Sequence, residues 1–166
     1  MEYQFENVGT PDIRAVIEVR YRMNAKSIVG WVGAYLLLGI YFLQTFLRGY
    51  TYIIMPVMCF GFAVSFALQP YLQVQKGWKK DLAFFNGVMP VNTARFGEKV
   101  SIENATASRT WEYHHLTKVY SFKYSYCLCF ADKTVLYFDR ANFTQGTFEE
   151  FKQFIRTKRP DLKIPE

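Results

Sequence analysis

Two long stretches without charge constrain this chain more than any other feature. Between Lys26 and Arg48 lie 21 residues with no Asp, Glu, Lys or Arg, and between Arg48 and Lys76 lie another 27. An apolar helix of roughly 20 residues matches the ~30 Å hydrocarbon core of a bilayer at about 1.5 Å per residue. The whole-chain averages hide this, since a mean hydropathy of -0.04 is ordinary for a soluble protein. The expectation is a transmembrane hairpin over 27–75, with helices at about 27–47 and 52–74 and a tight turn at Arg48-Gly49. A secretory signal would start earlier and carry a shorter apolar run, so the first span is expected to be retained.

Basic residues near the membrane set orientation. Arg14, Arg20, Arg22 and Lys26 precede the first span, Lys76, Lys79 and Lys80 follow the second, and the connecting turn offers only Arg48. Both termini are therefore expected in the cytoplasm, with Arg20, Arg22, Lys26, Lys76, Lys79 and Lys80 as a basic cluster at the membrane border. Such a cluster attracts anionic headgroups at ~1 kcal/mol per cation, which accounts for the net charge of +6 without a nucleic-acid partner. Within the spans the polar residues are uncharged, among them Gln44, Thr45, Ser65 and Gln69, so no proton path is expected. Gly30, Gly33, Gly39 and Gly61 offer small faces for close helix packing or homo-oligomerisation, and Pro56 and Pro70 are expected to kink the second helix. The three cysteines, Cys59, Cys127 and Cys129, form no disulfide framework and suit a reducing compartment.

The flanking segments read as soluble structure. Glu2 to Val8 suits a short strand, and Thr10 and Pro11 an N-cap and first position of a helix whose stripe is Ile13, Val16, Ile17 and Tyr21, with Arg14, Glu18 and Arg22 facing away. Gln75 to Asn86 is expected to extend the second helix. From Asn92 on, short strands are expected at Ala94–Gly97, Val100–Glu103 and Thr110–Tyr113. Tyr120, Phe122, Tyr124, Tyr126, Leu128 and Phe130 then form a row of period 2, Asp132-Lys133 a turn, and Thr134–Asp139 the returning strand. A C-terminal helix is announced by the capping box Thr147/Glu150 and the stripe Phe148, Phe151, Phe154 and Ile155, and Pro160 ends it. The chain thus divides into 1–26 (strand and amphipathic helix), 27–75 (hairpin) and 76–166 (a cytoplasmic antiparallel β domain closed by a C-terminal helix). The fold class is an α+β membrane protein, and the plan of its soluble part is pleckstrin-homology (PH)-like.

On Trp111 to Val119, Tyr126 to Leu136 and Asp139 to Phe151, the stretch Arg95–Ile164 resembles the C-terminal domain of the YcxB-like bacterial membrane proteins. The order of short strand, helix and two spans is similar as well. The resemblance implies a multi-pass protein of the bacterial cytoplasmic membrane with a cytosolic PH-like domain, and it lends no catalytic residues.

Chemistry-bearing residues are few. His114, His115, Cys127 and Cys129 are the only metal-like set, but adjacent His point to opposite strand faces and C-x-C is tighter than structural zinc spacing. No metal, cofactor or catalytic residue is expected. H-E-x-x-H, G-x-S-x-G and phosphate-cradling Gly-rich loops are missing, so the chain is read as a non-enzyme. The triplets Asn104-Ala105-Thr106 and Asn142-Phe143-Thr144 match glycosylation acceptors, which a cytoplasmic location makes idle. Lys118, Lys123, Lys133 and Arg140 are candidates for a basic rim on the sheet facing a phosphorylated headgroup, although ordinary solvated strand faces account for them better. Trp111, Tyr113, Tyr120, Tyr124 and Tyr126 are the candidate partner-binding residues. The expected function is a membrane-tethered binding or regulatory module for a protein or anionic lipid. The alternative is an immunity protein guarding its host against a membrane-active toxin or bacteriocin.

Overall fold

A computed structural model describes residues 3–104 and 106–165. The fold is α+β: two long apolar helices, antiparallel sheets and a C-terminal helix. Its contacts divide into two units, one formed by the residues up to Glu18 together with Asp81 onward, the other by Val19–Lys80. The N-terminal strand thus falls in the same unit as the residues from Asp81 onward.

The first unit holds two antiparallel sheets. Strand β1 (Phe5–Gly9) lies inside a five-stranded sheet with β2 (Asn92–Phe96), β3 (Val100–Glu103), β4 (Ser108–Trp111) and β8 (Phe143–Gln145), in the order β4-β3-β2-β1-β8. Phe5 pairs with Phe96 and Gly9 with Asn92, so the whole hairpin is inserted in the β1–β2 connection. The three-stranded sheet is β5 (Leu116–Ser121), β6 (Tyr126–Phe130) and β7 (Val135–Phe138). The helix α3 (Phe148–Lys158) starts on the expected capping box, with the Thr147 hydroxyl accepting from Glu150 N–H and the Glu150 carboxylate accepting from Thr147. It sends Phe151 and Ile155 into a core shared with Phe96, Val100, Leu116, Tyr126 and Leu128, all fully buried. Gly146 precedes it at φ +73°, and a Cβ there would strike the Phe5 ring, so both backbone angle and space require glycine.

The period-2 row from Tyr120 to Phe130 is not one strand. It breaks at a turn over Phe122–Ser125, closed by Phe122 N–H donating to the Ser125 carbonyl at 2.8 Å. Paired residues across an antiparallel ladder share a face. Val119 faces Leu128 and Ser121 faces Tyr126, which puts Tyr126 in the core and Tyr120, opposite Cys127, on the other side. Reversing the chain carries one parity to opposite faces.

The helix α1 (Ile13–Leu47) and the helix α2 (Ile54–Phe84), which supply the second unit and run past its bounds, each exceed the expected span. The N-cap of α1 is Asp12 rather than Thr10: its carboxylate accepts from Arg14 N–H at 2.8 Å and its carbonyl from Val16 N–H. Gly49, at φ +78°, ends the helix in a Schellman arrangement, with Gly49 N–H on Phe46 O and Tyr50 N–H on Thr45 O. Pro56 falls in the first turn of α2, where no intrahelical N–H bond exists to lose. Pro70 is interior, and near it the Tyr21 hydroxyl donates to the Ala67 carbonyl at 2.9 Å. Trp31 and Tyr35 of α1 stack on Phe66 of α2. Of the expected small contact residues, Gly39 is the one pressed on the other helix, against the Phe60 ring, whereas Gly30, Gly33 and Gly61 face open space.

Candidate functional site

The five aromatic residues proposed for partner binding separate by burial. Trp111, Tyr113 and Tyr126 belong to the core, at 7%, 6% and 0% exposure. Trp111 stacks on Phe130 and its indole N–H donates to Asp132 at 3.1 Å. Tyr113 meets Phe154 edge-on, and Tyr126 meets Phe148 in the same way. Burial pushes the Tyr126 phenol up to about 12. These three hold the sheets together and cannot reach a partner without unfolding. Tyr120 is half-buried and stacked on Phe122, and Tyr124 is exposed at the tip of the β5–β6 turn.

Around Tyr124 the structure builds an arrangement that the sequence pattern did not indicate. The Glu18 carboxylate accepts the consecutive backbone N–H groups of Lys123 and Tyr124, at 3.1 and 3.0 Å. Two adjacent amides aimed at one anion form a small nest. The Arg14 guanidinium and the Lys123 ammonium lie 5.2 and 5.1 Å from the Tyr124 ring centroid, within cation–π range. From below, Arg140 braces the turn by donating to the Ser121 hydroxyl, at 2.7 Å, and the Phe122 carbonyl. Arg140 is therefore a structural tie rather than a free member of a basic rim, while Lys118, Lys123 and Lys133 are exposed. Only the shared helix face of Arg14 and Glu18, one turn apart, could have hinted at this cluster, and nothing in the spacing names its target.

Beside the turn a cavity of about 60 Å³ is lined by Asn7, Ala15, Ser125, Tyr137 and Asp139 among others. That volume suits a few waters, not a metabolite. Asn7, nearly fully buried, spans toward it and donates to the Asp139 carbonyl at 2.7 Å.

The histidines and cysteines are not brought together as a ligand set. His114 and His115 are exposed on a short 3₁₀ turn, with His114 3.1 Å from Glu112. Cys127 and Cys129 are buried in β6. Burial raises the Cys127 thiol to about 12 and Cys129 in the same direction, which leaves both protonated and unreactive. Among the described residues no group of three or more His, Cys, Asp or Glu could hold a metal ion.

The basic border residues sit where the sequence places them along the helices: Arg20, Arg22 and Lys26 on α1, Lys76, Lys79 and Lys80 on α2. Among the described residues none of the six makes an ion pair. Both helices are long and apolar enough to cross a membrane. Compared with known proteins, the chain matches no family model, no curated protein and no solved structure.

Proposed function

We propose that the chain is a non-enzymatic, multi-pass protein of the bacterial cytoplasmic membrane, with both termini inside and a PH-like domain of the YcxB-like kind serving as a binding module. The observation that carries the membrane reading is exposure. The most apolar windows of α1 and α2 are only 6% and 22% buried, whereas a soluble protein's core helix hides its apolar surface. A bilayer supplies the missing cover.

The PH-like reading is supported by strand order. The first four strands in sequence form one antiparallel meander, the next three a second, and α3 contributes to the core between them. On this plan the β1–β2 connection, here the membrane hairpin, tethers the module by two covalent links. The surface offered to a partner is the Tyr124 turn with Tyr120, Phe122, Arg14 and Lys123, an aromatic and cationic patch of the kind enriched at interfaces. Its test is crosslinking and affinity capture of the tagged full-length protein from native membranes, beside the Tyr124→Ala variant. A stoichiometric partner lost in the variant supports the module. A partner retained equally by Tyr124→Ala rejects this surface.

A further inference from the structure

The segment Val19–Lys80 contains seven Lys and Arg residues and no Asp or Glu, so its cations have no carboxylate of their own unit to neutralise them. Between α1 and α2 this unit opens a cleft of about 330 Å³, at the lower end of the size of ligand pockets. Arg20 stands on its rim, Asn24 and Ser27 of α1 and Gln69 and Gln73 of α2 supply polar walls, and Trp31 contributes an aromatic side. Trp31 is stacked on Phe66, with ring centroids 5.7 Å apart.

A shallow groove of about 410 Å³, formed by α2 alone, shares Gln69 and Gln73 with this cleft and runs along Val64, Leu68 and Leu72 to Lys76. Its lining is mostly apolar, and the first is more polar. The two adjoin at Gln69 and Gln73, and the track they outline has cations and amides at one end and aliphatic side chains at the other. Gln69 lies seven residues from Lys76, roughly 10 Å along the helix, below the basic border. Neither its amide nor that of Gln73 has a hydrogen-bond partner among the described residues, and an unpartnered amide at that depth is costly in hydrocarbon.

We propose that this track is the binding site of one anionic glycerophospholipid. The phosphate meets Arg20 and Lys76, the headgroup and glycerol oxygens bond Gln73, Gln69 and Ser27, and one acyl chain lies along Leu72, Leu68 and Val64. A soluble anion has no use for the apolar half, and a zwitterionic lipid leaves the cationic excess uncompensated. The proposal rests on the membrane reading above and adds a specific site to it.

The test is native mass spectrometry of the full-length protein in mild detergent, offered phosphatidylglycerol and phosphatidylcholine of identical acyl chains. One phosphatidylglycerol per chain is expected, preferred by about tenfold, as one to two headgroup–cation contacts allow. Arg20→Gln is expected to bring the preference to about twofold or less, and Gln69→Leu to reduce it, with helical circular dichroism unchanged in both. Lys79→Gln/Lys80→Gln, which removes border cations outside the track, is expected to reduce the preference less than Arg20→Gln does. Equal retention of the two lipids overturns the proposal, as does a preference that follows Lys79 and Lys80 instead of Arg20. Displacement by inorganic phosphate would make it a free-anion site, and a dimer with no retained lipid would assign the track to a second copy; either result overturns it. Release of the protein from membranes by alkaline carbonate would defeat the membrane reading itself, whereas an embedded protein without lipid preference defeats only this site.

Discussion

The Glu18 carboxylate receives the backbone N–H of Tyr124 at 3.0 Å, closing a turn 106 residues away in the chain. Because Lys123 N–H joins it, this one side chain satisfies two consecutive amides of the β5–β6 turn. Glu18→Ala is expected to speed hydrogen exchange at the amides of Lys123 and Tyr124 by about tenfold or more, on the order of one charge-assisted hydrogen bond. Exchange at Leu128, in the ladder's centre, should stay unchanged. Equal exchange at 123 and 124 in both proteins would remove the latch.

Phe151 is fully buried and its ring touches those of Phe5, Phe96, Phe138 and Phe143. Phe151→Ala is expected to cost about 3–5 kcal/mol, measured as the urea midpoint of the full chain in mild detergent by near-ultraviolet circular dichroism. Phe151→Leu should lose clearly less.

The Tyr126 hydroxyl is buried and has no hydrogen-bond partner among the described residues. Tyr126→Phe removes that desolvated group while keeping the ring contacts, so stability is expected to be unchanged or to rise by up to about 1 kcal/mol. A loss of more than that would show that the hydroxyl is bonded in solution.

Acid should loosen the five-stranded sheet through Glu6. Its carboxylate accepts from Arg95 at 2.9 Å and from the Thr144 hydroxyl at 3.0 Å, and these bonds, Arg95 first, hold its pKa below the ordinary 4.5. A carboxylate whose folded pKa is depressed stabilises the fold above its unfolded value, and that contribution disappears as pH falls through the folded one. Unfolding midpoints recorded from pH 6 to about pH 3 should therefore drop on the acid side, and Glu6→Gln should flatten part of that drop.

Much of this architecture is legible in the residues. Charge-free runs mark the helical pair because few other patterns hold so many residues without a charge, and Thr147 with Glu150 announces α3 through chemistry confined to one turn. What escapes is set by long-range pairing. Nothing local tells Phe5–Gly9 that its partner is Asn92–Phe96, across the whole hairpin. The parity of Tyr120 to Phe130 looks like one strand because a four-residue turn preserves it while exchanging the faces. Trp111, Tyr113 and Tyr126 are candidates for contact on residue type, yet a small sheet domain places its largest aromatics in its own core. The Glu18 nest is invisible in sequence, since its acceptors are backbone amides that every residue carries.

The central claim, a membrane hairpin with both ends inside, is tested most directly by protease protection with epitope tags at each terminus. In right-side-out spheroplasts both tags should survive, and in inverted vesicles both should be shaved, with the protein resisting carbonate extraction throughout. Loss of either tag from intact spheroplasts, or appearance of the protein in the carbonate supernatant, would contradict the account.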